Sequence, residues 1–172
     1  MNEIREIVTK AVVAKGKKTM RMKVVVEPKN DTFSILGCWV INHNFSATLD
    51  QNCVTVNGDF EINIWYAYDN NTKTEVARQV ESYEDTIKTR QIVKNVNSEK
   101  DVIVRVLQQP TCTNASITEE GIEVDIILEE AVDVIGETKI AVTAFTNIDP
   151  DTMEDSFENE INENFINENT IR

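Results

Sequence analysis

Apolar and polar side chains alternate with a period of two along most of the chain. The clearest run is Phe60, Ile62, Ile64, Tyr66 and Tyr68, five apolar or aromatic residues on one strand face, with Glu61, Asn63, Trp65 and Ala67 on the other. Val102, Val104 and Val106 repeat the pattern, with Ile103 and Leu107 adding apolar weight to the opposite face. Ile122, Val124, Ile126 and Leu128 form a third run against Glu123, Asp125, Ile127 and Glu129, and Ile140, Val142 and Ala144 a fourth. Weaker strand candidates lie at 7–14, 20–26, 34–42, 54–56 and 75–88.

Turn chemistry separates these runs. Asn57-Gly58 can supply the positive φ angles of a tight hairpin or bulge, while Asp69-Asn70-Asn71 and Glu119-Glu120-Gly121 read as polar turns. Pro28 and Pro110 fall at run ends, where a missing N–H costs little. No helical periodicity of 10 to 15 residues alternates with the strands through residue 148, which argues against a parallel sheet with crossover helices. The pattern predicts an all-β domain over residues 1–148, an antiparallel β-sandwich of about eight to ten strands.

Charge marks off the rest. The 172 residues carry 30 acidic and 17 basic side chains, a net −13, and residues 149–172 hold eight of the acids with Arg172 as the sole base. That short acidic segment predicts a tail that stays disordered, becomes helical on a partner, or docks on its own domain. Met153, Phe157, Ile161 and Phe165 recur every fourth residue, with Ile166 beside the last, so a helix would gather them into one stripe. They are the candidate partner-binding residues of the tail. A field this negative disfavours nucleic acid and anionic membranes as partners. The mixed charges of the first ten residues do not resemble a secretory signal, and no apolar stretch suits membrane insertion. The chain therefore reads as cytosolic, and the sequons at Asn44, Asn70 and Asn114 read as chance.

Chemistry is thin. His43 is the only histidine, at the end of a probable strand, so neither a metal set nor a histidine-based relay is expected. Cys38, Cys53 and Cys112 match no zinc or disulfide-scaffold spacing and read as buried thiols, with a crosslink between chains as the lesser alternative. The many carboxylate pairs lack a defining separation, and there is no nucleophile elbow, calcium loop or phosphate-cradling glycine loop. No catalytic residue, cofactor or metal is expected. Trp65, Tyr66 and Tyr68 place large aromatics on both faces of one strand, and only one face can belong to the core. Together with Asn70 and Asn71 they are the candidate self-assembly surface, aided by unpaired sheet edges. A small carbohydrate- or peptide-binding sandwich would show similar aromatics and is the alternative.

Five separated blocks bear on identity: TKAVVAKGKK at 9–18, SILGCWVINH at 34–43, INIWYAY at 62–68 running into NNTKTE at 70–75, VLQQPTC at 106–112 and VIGETK at 134–139. In this order they resemble the outer spore coat morphogenetic protein E family (spore coat protein E) of endospore-forming bacteria. The resemblance covers about residues 3–145. It implies a non-enzymatic scaffold that assembles around the forespore from the mother-cell cytoplasm and ends in the outer coat. It also implies self-association into a homo-oligomer, attachment to the basement-layer morphogenetic ATPase, and recruitment of other outer coat proteins, linked in the family with an acidic C-terminal segment. The tail here intersperses its acids with Asn, Ile and Phe, a departure from long Asp runs.

Overall fold

The structure is a computed structural model that describes residues 2–94 and 99–145. These residues form seven strands and no helix: β1 (Asn2–Val26), β2 (Ser34–Asp50), β3 (Cys53–Tyr68), β4 (Lys73–Lys88), β5 (Arg90–Gln91), β6 (Asp101–Ile117) and β7 (Ile122–Phe145). They make two antiparallel sheets, ordered β5-β1-β7-β6 and β2-β3-β4. The strands are fewer than expected because they are longer. The separate apolar runs at 7–14 and 20–26 are one 25-residue strand.

Within the unit Thr9–Thr138, the sheets face each other across a single core. The predicted alternation holds: Phe60, Ile62, Ile64 and Tyr66 of β3 are wholly buried and pack with Val124, Ile126 and Leu128 of β7. Each such aliphatic or aromatic side chain contributes about 1.5–3 kcal/mol by leaving water. Val102, Val104 and Val106 pack against the same cluster from β6, whereas Ile103 and Leu107 point outward. Corners link the sheets. Between β4 and β5 the N–H and hydroxyl of Thr89 both donate to the Asn52 carbonyl at 2.9 Å, pinning the crossing to the β2–β3 turn. On the other flank β2 lies against β6.

The Asp69-Asn70-Asn71 turn is present, all three residues having φ of 51–65°. Gly121 turns the chain into β7 at φ 140°, and Thr118 donates its N–H to the Gly121 carbonyl at 2.7 Å. Asn57-Gly58 is no turn. Both residues lie inside β3, and Gly58 is required for another reason: a Cβ there would come within 2.6 Å of the Tyr83 ring. Pro110 likewise sits inside β6 and not at its end, at a register shift between Gln108 and Thr111 where no ladder N–H is missed.

The second unit, Met1–Val8 with Lys139–Arg172, contributes strand ends from β1 and β7. Lys139 Nζ lies 3.7 Å from Glu6 Oε2, and Ile4, Ile7 and Ile140 are exposed. The expected boundary at residue 149 lies outside the described residues, as do Met153, Phe157, Ile161, Phe165 and Ile166.

Candidate functional site

Antiparallel pairing puts directly opposed residues on one face, so the outer face of β2-β3-β4 can be read from its register. Its central rows are Gly37–Trp65–Val76, Trp39–Asn63–Arg78 and Ile41–Glu61–Val80. Two tryptophans, an isoleucine and two valines therefore share one side of the sheet, opposite the core. Trp65 is 44 % exposed, and Trp39, Ile41 and Val80 are exposed as well. A Cβ at Gly37 would stand 3.9 Å from Trp39 Cζ3, an ordinary contact, so the indole lies close over this position.

Asn63 sits at the centre of this face. It is only 3 % exposed, and its side-chain Nδ2 has no hydrogen-bond partner. A buried amide left without an acceptor costs about 1–3 kcal/mol. The face thus exposes Trp39, Ile41, Trp65 and Val80 beside the polar Arg78 and Glu61, with a buried amide short of one acceptor at its middle.

The residues singled out around Trp65 do not form one surface. Tyr66 is wholly buried, so it belongs to the core and offers nothing to a partner. Its hydroxyl donates to Glu75 Oε2 at 3.1 Å, and Asn30 Nδ2 donates to the same oxygen at 2.6 Å. Tyr68 continues the inner row, half-buried, with its ring 6.1 Å from that of Tyr66. Asn70 and Asn71 are exposed in the β3–β4 turn, where Asn71 Oδ1 accepts from Ser34 Oγ at 2.7 Å. Trp65 alone of the five reaches the outer face, and its companions Trp39, Ile41 and Val80 were missed. Their alternation is visible at 34–42, but register shifts at 35/37 and 41/44 hide which residues stand beside Trp65.

His43 owes its position to the second of those shifts. Asn42 at φ 56° turns the next side chain toward the core flank. His43 Nε2 lies 2.8 Å from the Tyr83 hydroxyl, which donates to Glu130 Oε1 at 3.0 Å, and Nδ1 lies 2.9 Å from Gln109 Oε1. With the single hydroxyl proton of Tyr83 given to Glu130, the imidazole is the donor to Tyr83. Burial, then the neighbouring Glu130 carboxylate, pushes the Tyr83 hydroxyl far above its ordinary range. Burial also raises Glu130, against the opposing effects of the Tyr83 bond and the His43 charge. The chain of bonds holds β2, β4, β6 and β7 together with its protons in place, an arrangement suited to fixing a core. Burial, then a hydrogen bond with Cys112, drives the Cys38 thiol well above its usual range and makes it a poor nucleophile.

Among the described residues no group of three or more His, Cys, Asp or Glu is placed to hold a metal, and no helix is long and apolar enough to cross a membrane. Comparison with curated proteins and with solved structures gave no match. The family model for outer spore coat protein E (CotE) matches residues 3–171, nearly the whole chain, in agreement with the blocks at 9–18, 34–43 and 62–75. The chain belongs to the outer spore coat protein E family, whose members are structural proteins of the spore's outer coat.

Proposed function

We propose that this coat protein is a non-enzymatic morphogenetic scaffold that self-assembles through the outer face of β2-β3-β4 and recruits other coat proteins around the forespore. One observation carries the reading: Trp39, Ile41, Trp65 and Val80 are exposed together around the buried, acceptor-seeking Asn63. Each indole leaves on the order of 100 Å² in water, and with Ile41 and Val80 the face exposes a few hundred Å² of apolar surface, a size that often marks an interaction site. Covering both removes about 5 kcal/mol of apolar exposure before the costs of association.

The family supports the remainder of the reading. The mother-cell cytoplasm is the place of assembly, the basement-layer morphogenetic ATPase the underlying support, and other outer coat proteins the clients. The acidic segment with Met153, Phe157, Ile161, Phe165 and Ile166 is a peptide suited to contact. A sugar-binding module would need polar side chains converging on Trp65. Its cross-strand neighbours are Gly37 and Val76, which supply none, so the assembly reading is favoured.

Light scattering on the eluting full chain tests this. Oligomers are expected at micromolar concentration, and Trp65→Ser weakens association by about 2 kcal/mol, roughly 30-fold. A monomer at high micromolar concentration overturns the proposal.

A further inference from the structure

The other sheet carries a different kind of surface. β5 pairs with β1 so that Arg90 stands directly opposite Lys15. Like charges in that relation repel and destabilise a sheet. Neither side chain has an ion-pair partner among the described residues, and both are exposed. Two strands across, Arg105 stands opposite Ala131. Its guanidinium lies 2.8 Å from Asp133, and Lys17 lies 2.8 Å from Glu129. Lys15, Lys17, Arg90 and Arg105 line an open concavity of about 590 Å³ on the outer face of β5-β1-β7-β6 together with one carboxylate, Asp133, and Ile92 and Ala131 supply apolar wall. In a chain of net −13, Asp133 and Glu129 offset Arg105 and Lys17, and Lys15 with Arg90 leaves the concavity with a local excess of positive charge.

The chain itself carries a ligand of matching chemistry. Residues 149–172 carry eight carboxylates and one base, interleaved with Phe157, Ile161 and Phe165. Carboxylates bridging Lys15 and Arg90 would replace a repulsion with two charge-assisted hydrogen bonds. The apolar side chains between them would find Ile92 and Ala131. Inorganic phosphate matches the first feature and not the second.

We propose that this concavity binds the acidic segment 149–172 of a second copy, giving the scaffold a second joint distinct from the β2-β3-β4 face. The occupant's being another copy rests on the self-assembly reading; the site's preference for an acidic, aromatic-bearing peptide does not.

The test uses the full chain and a fluorescent synthetic peptide of residues 149–172, followed by polarisation in low salt. Saturable binding is expected, weakened at least about tenfold by the pair Lys15→Glu and Arg90→Glu. Raising salt to about 0.5 M should weaken it similarly, because that shortens the screening length to a few ångströms. A peptide with Phe157, Ile161 and Phe165 all changed to Ser, keeping every acid, should also bind several-fold more weakly. The milder pair Lys15→Gln and Arg90→Gln, with a melting curve alongside, guards against a folding defect and should still reduce binding. Peptide affinity unchanged by either pair, or equal affinity for the Ser-substituted peptide, overturns the proposal. So does displacement by inorganic phosphate at matched concentration. The Trp65→Ser chain separates the two joints: it should lose association through its tryptophan face and still bind the peptide. If its association is undiminished at about 0.5 M salt, where the charged joint is screened, while the peptide binds as expected in low salt, the first reading fails and this one stands.

Discussion

Alanine is ordinarily the better residue than glycine inside a strand, by about 0.5–1 kcal/mol, so Gly58→Ala in β3 would stabilise a generic sheet. Here the opposite sign is expected. The added methyl would lie 2.6 Å from Tyr83 Cε1 and Cζ and 2.7 Å from its hydroxyl oxygen, well inside ordinary contact. The ring has little room to retreat. It is buried, its centroid is 6.1 Å from that of Phe60 and 5.8 Å from that of His43, and its hydroxyl is committed to Glu130. Overpacking costs about 1–3 kcal/mol, and a displaced Tyr83 strands the Glu130 carboxylate, adding about 1–3 kcal/mol. Set against the roughly 0.5–1 kcal/mol that alanine gains, the expected net loss is about 1–5 kcal/mol. Urea unfolding followed by circular dichroism, at one fixed protein concentration because self-association shifts the midpoint, measures it. In a Tyr83→Leu background the same Gly58→Ala change should cost less than about 1 kcal/mol, since the clashing ring is gone. Gly58→Ala that is neutral or stabilising in the parent chain, or equally costly in both backgrounds, would refute the reasoning.

Two further outcomes follow from the buried groups. Burial raises the Glu130 carboxyl above its unfolded value, so the folded state holds that proton more tightly; stability from this group is full below the unfolded value near 4.5 and falls as pH rises through the folded one. Glu130→Gln should then stabilise the chain by about 1 kcal/mol at pH 8, with the gain shrinking as pH falls through the raised folded value toward about 4.5; Asp85 and His43 face the same group, and a gain constant across pH would contradict the cause assigned. Cys38 should alkylate with iodoacetamide at pH 8 at least about tenfold more slowly in the native chain than in urea, because burial withholds the thiolate; equal rates would show that the thiol ionises freely.

How much of this was legible in the sequence depends on the range of the interaction concerned. Alternation from Phe60 to Tyr66 and from Ile122 to Leu128 is local and maps directly onto the buried faces, because successive strand side chains must point to opposite sides. The Asp69-Asn70-Asn71 turn is local as well. Asn57-Gly58 misled because the same dipeptide that permits a turn also permits a ring to lie flat on the backbone, and only the Tyr83 position tells them apart. Trp65 was readable as a surface residue from its polar flanks. Its neighbours Trp39, Ile41 and Val80 were not, since bulges in β2 and the length of the β3–β4 hairpin set the register. Tyr66 fell into the candidate surface by proximity to Trp65, although its parity already placed it with the core row. The opposition of Lys15 and Arg90 joins residues 75 positions apart, through a two-residue strand too short to carry any pattern.

The central claim is that copies meet through the outer face of β2-β3-β4. Hydroxyl-radical footprinting of the full chain, read by mass spectrometry from dilute monomer to assembled concentration, measures that face residue by residue. The account predicts that oxidation of Trp39 and Trp65 falls at least about fivefold as particles grow, since core contacts of an interface exclude water. Growth of particles with both indoles oxidised as fast as in the dilute chain would contradict it.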